Sequence, residues 1–287
     1  MRWTPGQRSD NLEDRRGAGG GGMRGGRGMG IGGILILGVL SLVFGRNLFS
    51  TFGVDPTAAL QAPSASAERD PRARALQDSL EEPTVRFVSF VLDSTQNFWR
   101  RALGPEYPDA KLVLFRGATQ TACGVGQSQS GPFYCPGDQK VYIDLDFFEE
   151  LKTRFGAPGD FAQAYVLAHE IGHHIQNVTG TEPKVRRMQQ QRPEMANQLS
   201  VRMELQADCY AGVWAHDAAR QNLIEPGDLG EGLGAAAAVG DDRLQKQATG
   251  RVQPEAFTHG TSAQRMQWFK RGYDSGDPQS CDAFGTR

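Results

Sequence analysis

The segment from His169 to His173, which reads His-Glu-Ile-Gly-His, constrains this chain more than any other stretch. On an α-helix, residues four apart are separated by roughly 400°, so their side chains stand only about 40° apart on one face. Both imidazoles can therefore bind one metal ion. Glu170 lies about 100° further round the helix, where its carboxylate can reach a water molecule at the metal rather than the metal itself. Asp160 can cap such a helix and Gly180 can end it, so the sequence predicts a metal-binding helix between them.

A third metal ligand has to come from elsewhere, because a catalytic zinc site usually has three protein ligands and one water. The metzincin spacing would place Gly at position 176 and His at position 179, but the chain has Gln176 and Thr179. The gluzincin spacing requires a Glu that is followed four residues later by an Asp, on another helix. After His173, only Glu204 has an Asp at that distance, which is Asp208. We therefore predict that Glu204 is the third ligand.

Asp208 lies one helical turn after Glu204 and has a predicted role of its own. Its carboxylate can accept a hydrogen bond from the spare ring N–H of a metal-bound histidine, for which we expect His169. Such a contact fixes the tautomer and makes the ligand more basic. Ala207 carries only a methyl group, so it can let two helices approach closely around the metal. A Glu and an Asp at this spacing are by themselves usually part of a solvated helix face. Together with the histidine pair, they indicate the third ligand and its neighbour.

Other histidines and a cysteine lie near these residues in the sequence but off the metal-facing side. His174 and Cys209 each come five residues after a proposed ligand, about 140° away from that face. We expect both of them, and His216, to be structural. His259 falls in a loop with Gly260 and precedes a predicted helix. It can donate a hydrogen bond to the oxyanion of a tetrahedral intermediate, or it can be a solvent-exposed or helix-capping residue, and the sequence leaves both possibilities open.

These residues, together with motifs at both ends of the chain, resemble the bacterial neutral zinc metallopeptidase family of YpfJ-like membrane proteins. The resemblance extends over almost the whole length, and the opening and closing motifs are more specific to the family than the histidine pair. The segments that carry it are Met1–Trp3, Ser9–Gly17, Ala122–Gly124, Gly131–Pro136, Val141–Leu145, Ala168–His174, Arg202–Cys209, Gly240–Leu244, Thr258–Gly260 and Phe269–Pro278.

The resemblance implies a zincin-like domain that hydrolyses peptide bonds and acts on a peptide or protein substrate. Zn²⁺ would be held by His169, His173 and Glu204, and Glu170 would act as the general base. The alternative is a catalytically idle zinc-binding protein that recognises extracytoplasmic peptides or assists assembly. Glu170 favours the enzyme, because binding alone does not need a general base.

Composition divides the chain into four segments. Residues 17–33 contain eleven glycines in seventeen positions, which cannot bury a core, so we predict a disordered Gly/Arg-rich cytoplasmic arm over residues 1–28. An apolar run follows, and residues 29–49 are predicted to form a transmembrane signal anchor. Residues 50–72 are rich in Ala, Ser and Pro and read as a linker. The peptidase domain is predicted over residues 73–287.

Flanking charge predicts the orientation of the anchor. Arg15, Arg16, Arg24 and Arg27 precede the apolar run, and only Arg46 follows it closely. The positive-inside rule then places the N-terminus in the cytoplasm and the domain on the extracytoplasmic, periplasmic side of the inner membrane. A cleaved signal peptide is the alternative, with small residues between positions 58 and 67 as cleavage context. Those residues begin well past the apolar run, which favours an uncleaved anchor.

The number and spacing of the cysteines agree with export of the domain from the cytoplasm. The four cysteines are Cys123, Cys135, Cys209 and Cys281, and the absence of a CxxC pair argues against a cysteine-based zinc site. In an oxidising compartment we expect two disulfides. The sequence permits three pairings; our hypothesis joins Cys123 to Cys135, which closes a short loop, and Cys209 to Cys281, which ties the end of the chain to the helix of the third ligand.

Hydrophobic patterning predicts an α+β domain that is mostly helical with a small sheet. Strands are expected over 111–115 and 140–145, and we predict the second to be an edge strand over the cleft, where an extended peptide could pair. The predicted helices cover residues 85–103, 147–155, 160–178, 183–191, 194–219, 228–248 and 262–273. The net charge of −2 gives no reason to expect binding to nucleic acid.

Overall fold

The computed structural model describes residues 1–18 and 71–285. Helices account for most of these residues, in agreement with the predicted class. The α-helices among them are α1 (Pro71–Leu103), α2 (Asp146–Thr153), α3 (Asp160–Val178), α4 (Thr181–Gln191), α5 (Ala196–Arg220), α6 (Asp228–Ala238), α7 (Asp241–Thr249) and α8 (Ser262–Ser275). The strands are β1 (Leu12–Asp14), β2 (Lys111–Phe115), β3 (Ala118–Thr121), β4 (Gly124–Gln127), β5 (Phe133–Cys135) and β6 (Lys140–Asp144).

The main sheet has the strand order β1-β2-β6-β5, and β3 and β4 form a separate hairpin. β1, β2 and β6 run parallel, whereas β5 is antiparallel to β6. The prediction that residues 140–145 form an edge strand is wrong, because β6 pairs on both sides. Four consecutive residues of β6, from Val141 to Asp144, are buried, as expected for a strand inside a covered sheet. β5, which pairs with β6 on the side opposite β2, is the edge strand instead.

The first eighteen residues belong to the folded domain. β1 pairs with β2, and the backbone amides of Leu112 and Arg15 donate hydrogen bonds across the two segments, to Asn11 and Leu114 respectively. Arg16 is only 4% exposed, because its guanidinium is neutralised by carboxylates on neighbouring elements, including Asp14. The prediction of a disordered arm over residues 1–28 is therefore wrong for residues 1–18, and residues 19–28 lie outside the described part of the chain.

The predicted membrane anchor, residues 29–49, also lies outside the described residues. So does the predicted linker, residues 50–72, apart from its last two positions, which begin α1. Within residues 1–18 and 71–285, no helix combines the length and the apolar character that a membrane crossing requires.

The predicted helix over residues 160–178 is confirmed as α3, but two other helices differ from the prediction. The helix expected over 228–248 is broken into α6 and α7, because Gly240 is extended and packs against the start of α8. A Cβ at Gly240 would lie 2.3 Å from the amide nitrogen of Ser262. α1 begins at Pro71 rather than at residue 85 and continues through Pro83, a residue that normally interrupts helices.

Both expected disulfides are present. Cys123 is bonded to Cys135, which ties the β3–β4 hairpin to β5. Cys209 is bonded to Cys281, which ties α5 to the segment after α8. All four cysteines are therefore paired, and the preferred pairing is confirmed.

The helices α3 and α5 cross at very short distance. A Cβ added to Gly172 of α3 would lie 2.9 Å from the carbonyl oxygen of Ala207 and 3.1 Å from its Cβ. Such distances leave no room for a side chain, so a glycine on α3 and a small residue on α5 are both required. The predicted close approach at Ala207 is therefore confirmed, and it fixes the relative position of the two helices that carry the candidate metal ligands.

We predict that Gly172→Val forces α3 and α5 apart. Overpacking of this kind costs about 1–3 kcal/mol of unfolding free energy, and the separated helices should also lose zinc. Urea unfolding and metal analysis of the purified protein measure both effects. Gly230→Ala is the matched control, because Gly230 is a helical glycine with open space around its Cα and should leave zinc content unchanged. Wild-type zinc content in Gly172→Val would contradict the proposed role of the crossing.

Candidate metal centre

Three side chains from α3 and α5 converge at the crossing. Nε2 of His169 lies 3.2 Å from Oε2 of Glu204, and Nε2 of His173 lies 3.4 Å from Oε1 of the same carboxylate. Tetrahedral coordination with bonds of about 2.0–2.1 Å requires ligand atoms roughly 3.3 Å apart. The structure thus brings the three predicted ligands together at separations that suit a single Zn²⁺.

The other ring nitrogen of each histidine is held by a partner outside the ligand set. Nδ1 of His169 lies 2.8 Å from Oδ1 of Asp208, which is the predicted contact. Nδ1 of His173 lies 2.8 Å from Oε1 of Gln176, and the amide of Gln176 in turn donates to the carbonyl of Met203 on α5. Because these partners engage Nδ1, both imidazoles present Nε2 to the metal position. Sequence spacing assigns no such role to Gln176, because its identity there only excludes the metzincin pattern.

Arg265 on α8 is a further member of the site that sequence reasoning missed. Its Nε donates to Oδ2 of Asp208 at 2.8 Å and its Nη2 to Oδ1 at 2.9 Å. The same Nη2 lies 3.6 Å from Oε2 of Glu204, and the hydroxyl of Tyr165 also donates to Asp208. Arg265 is only 3% exposed. A buried arginine has no periodic sequence signature, and its partner is determined only by the packing of α8 against α5.

At His169, Glu204 and Asp208, the neighbouring charged groups together shift the pKa more than burial does. Burial disfavours the charged imidazolium of His169, but Asp208 and Glu204 together raise its pKa to about 9. Burial likewise disfavours ionisation of Glu204, yet His173 and His169 hold its pKa well below the usual range. The pKa of Asp208 is lowered in the same way by Arg265 and His169. Glu204 and Asp208 are therefore carboxylates in this site, ready to coordinate a cation and to accept a ring N–H.

Glu170 is not among the three clustered ligand residues. It is 7% exposed and lines the same cleft as His169 and His173. Burial raises the pKa of the Glu170 carboxyl, while the two histidines oppose that rise. A carboxylate with a raised pKa is a better proton acceptor than an ordinary surface glutamate.

His259 lies on the same cleft as the metal cluster, although it is far away in the sequence. Its Nδ1 is 3.1 Å from Oδ1 of Asp241, and its backbone N–H donates to the other oxygen of that carboxylate. The hydrogen bond to Asp241 raises the pKa of His259 against the opposing effect of burial. Thr261, not His259, caps α8. The ring is thus oriented by a carboxylate and still 49% exposed, with Nε2 as its remaining polar atom.

The residues expected to be structural lie outside the metal cluster. The ring of His174 bridges the hydroxyl of Tyr134 and the carbonyl of Pro108. Cys209 is in a disulfide, and Nδ1 of His216 contacts the carbonyl of Tyr273.

Comparison with known proteins agrees with this geometry. A family model described as "Putative neutral zinc metallopeptidase" matches residues 1–284. The chain belongs to this family. Membership implies Zn²⁺ as the metal, which the His₂Glu donor set fits. The resemblance inferred from the sequence motifs is thereby confirmed.

Two relatives show how much of the chain is shared. YpfJ of Escherichia coli (strain K12) is 50% identical over 293 residues, which cover 99% of each protein. Rv2575 of Mycobacterium tuberculosis (strain H37Rv) is 46% identical over 216 residues, which cover 70% of this chain and 72% of that protein. No solved structure matches the chain.

The metal cluster forms part of the wall of an open cleft of about 960 Å³. Residues of β5 and of the preceding loop, 128–134, border one part of the cleft. Residues that follow α2 and residues of α7 border another part, and His259 and Arg265 contribute from the region of α8. A cleft of this size can hold an extended segment of several residues beside the metal position.

Proposed function

We propose that this protein is a zinc-dependent peptidase that hydrolyses peptide bonds with an activated water. The observation that carries the proposal is the placement of Glu170 next to a three-ligand His169–His173–Glu204 cluster in an open cleft. Bound Zn²⁺ would supply a Lewis acid that polarises the scissile carbonyl and lowers the pKa of water. A three-ligand site leaves a coordination position for chemistry, whereas structural zinc sites are closed by four protein ligands.

Glu170 is proposed to act as general base and then as general acid. Its carboxylate would take a proton from the attacking water and later deliver that proton to the leaving amine. The raised pKa that burial gives Glu170 supports both halves of this transfer, because a carboxylate that holds a proton more firmly is a stronger base.

His259 is proposed to stabilise the oxyanion of the tetrahedral intermediate. Its Nδ1 faces Asp241, so a neutral ring that donates from Nδ1 has no proton on Nε2. Nε2 can donate to an oxyanion only when the ring is protonated, and the raised pKa favours that state. Removal of one such donor typically costs about 10²–10³ in kcat.

The substrate is proposed to bind as an extended peptide along β5. This strand is at one end of the described sheet, and Phe133 and Tyr134 line the cleft beside the metal cluster. The backbone groups on the open side of an edge strand can pair with a peptide main chain. An idle peptide-binding or assembly protein could use the same strand, but it would not need Glu170.

We further propose that the domain works outside the cytoplasm. Two disulfides support an oxidising compartment. The β1–β2 pairing changes the predicted topology, because strands that share hydrogen bonds must lie on the same side of a membrane. A single crossing between residues 18 and 71 would separate them. We therefore place residues 1–18 on the extracytoplasmic side, together with residues 71–285.

We predict that Glu170→Gln retains zinc but slows peptide hydrolysis by roughly 10²–10⁴-fold, because the amide cannot accept the proton. His173→Ala should lose both zinc and activity. Metal analysis and cleavage of a quenched fluorescent peptide, with and without a chelator, measure these effects. Glu149→Gln is the control, since Glu149 is an exposed glutamate outside the cleft. Full activity in zinc-loaded Glu170→Gln would overturn the assignment of the base.

We predict that His259→Ala lowers kcat by about 10²–10³ and that Asp241→Asn shifts the alkaline limb of the pH–rate profile to lower pH. The limb should move to lower pH because Asp241 raises the pKa of His259 and the variant lacks that effect. The ring loses its proton as pH rises through that pKa. Glu204 also raises the pKa of His259 and Arg265 lowers it, and neither residue is changed in these variants. Thermal unfolding checks that the variants fold. An unmoved limb in folded Asp241→Asn would contradict the oxyanion role.

The proposed sidedness predicts equal labelling of two engineered thiols in intact cells. Gln7→Cys and Val252→Cys lie at exposed positions before and after the undescribed segment. A membrane-impermeant maleimide should label both. Labelling of position 252 alone would show that the segments lie on opposite sides and would contradict the β1–β2 pairing in the cell.

A further inference from the structure

Part of the cleft lining is apolar and includes a residue of α3 that lies one turn before a proposed metal ligand. Val166 precedes His169 by three residues on α3, and residues at this spacing share one helix face. Val166 lines the cleft together with His169 and Glu170. The side chain next to the metal on this side is therefore an aliphatic group and not a polar one.

Two other elements complete this apolar wall. Phe155 follows α2 and Leu244 lies on α7, and both line the cleft. The guanidinium of Arg243 donates to the backbone carbonyl of Phe155 at 2.8 Å, which fixes Phe155 and the neighbouring Leu244 relative to each other. Phe147 lies beside Phe155, with ring centroids 6.2 Å apart and the ring planes tilted by 43°. These side chains pack against the core on one side and face the cleft on the other.

Two charged residues that line the cleft beside Phe155 form an ion pair with each other. Arg154 lies 3.5 Å from Glu150 and also sits over the ring of Phe155. A substrate side chain of either charge would compete with one member of this pair for the other. Burial of a large apolar side chain needs no such exchange and is favourable because it removes apolar surface from water.

We propose that the pocket formed by Phe147, Phe155, Val166 and Leu244, here called the apolar pocket, binds a large aliphatic or aromatic side chain that flanks the scissile bond. The inference rests on the proposed peptidase function and names its substrate class: extended segments that carry an accessible Leu, Met or Phe. Folded proteins bury such residues, so unfolded or flexible chains are the substrates that fit the apolar pocket.

A peptide library tests this proposal on the full-length, zinc-loaded protein. Peptides should differ at a single position, and mass spectrometry should locate the cleaved bond. We expect kcat/KM to be at least about tenfold higher for Leu, Met or Phe than for Ala at one residue flanking that bond. Leu244→Asp should reduce this preference about tenfold, and Leu244→Ala should reduce it less, both with unchanged zinc content. Val125→Asp, at an exposed valine outside the cleft, should keep the preference.

A binding measurement separates this inference from the peptidase proposal. The same peptides can be titrated onto Glu170→Gln and onto the double variant Glu170→Gln/Leu244→Asp. A failure of zinc-loaded wild type to cleave any peptide would defeat the proposed function, and tighter binding of Leu, Met and Phe peptides that is lost in the double variant would still support the apolar pocket. Zinc-dependent cleavage or binding with no apolar preference would overturn the inference, as would a preference that survives in both folded Leu244 variants.

Discussion

The crossing of α3 and α5 is the contact on which the site depends. Glu204 reaches two imidazoles because the backbone of α5 lies against Gly172, at a distance where any side chain would collide with Ala207. Ligand atoms have to be placed within a few tenths of an ångström for zinc to bind tightly. Two packed helices provide that precision more readily than loops, since each ligand is fixed by the same interface.

The buried negative charge of Asp208 beside the ligands is offset by the positive charge of Arg265 and by hydrogen bonds. Asp208 would be costly to bury by itself, and it is retained because Arg265, Tyr165 and His169 all donate to it. The arginine thereby keeps Asp208 ionised and fixed, and Asp208 keeps the tautomer of His169 fixed. α8 thus takes part in the metal centre without supplying a ligand, and it also follows the loop that carries His259.

The parts of this structure that could be predicted from sequence are those set by local spacing. The histidine pair follows from helical periodicity, Glu204 and Asp208 follow from the gluzincin spacing, and the predicted bounds of α3 match the observed ones. What could not be predicted depends on contacts between distant segments. β1 and β5 have three residues each, too few to show an alternating pattern, so the pairing of β1 and the edge position of β5 were missed. Arg265 was missed for the same reason, because its partners lie on other helices. Gln176 contacts His173 within α3, but the carbonyl of Met203 that holds its amide lies on α5.

The position of β1 at one end of the sheet has a consequence for biogenesis. Leu12 is synthesised before its partner Leu112, which comes 100 positions later, so the pairing must wait while the intervening chain emerges. Without β1, one side of β2 would have no neighbour, and an uncovered hydrophobic strand invites pairing with other chains. β1 is therefore a cover that is already present when β2 emerges, and chains that lose β1 would be expected to aggregate even though every proposed zinc ligand is still present.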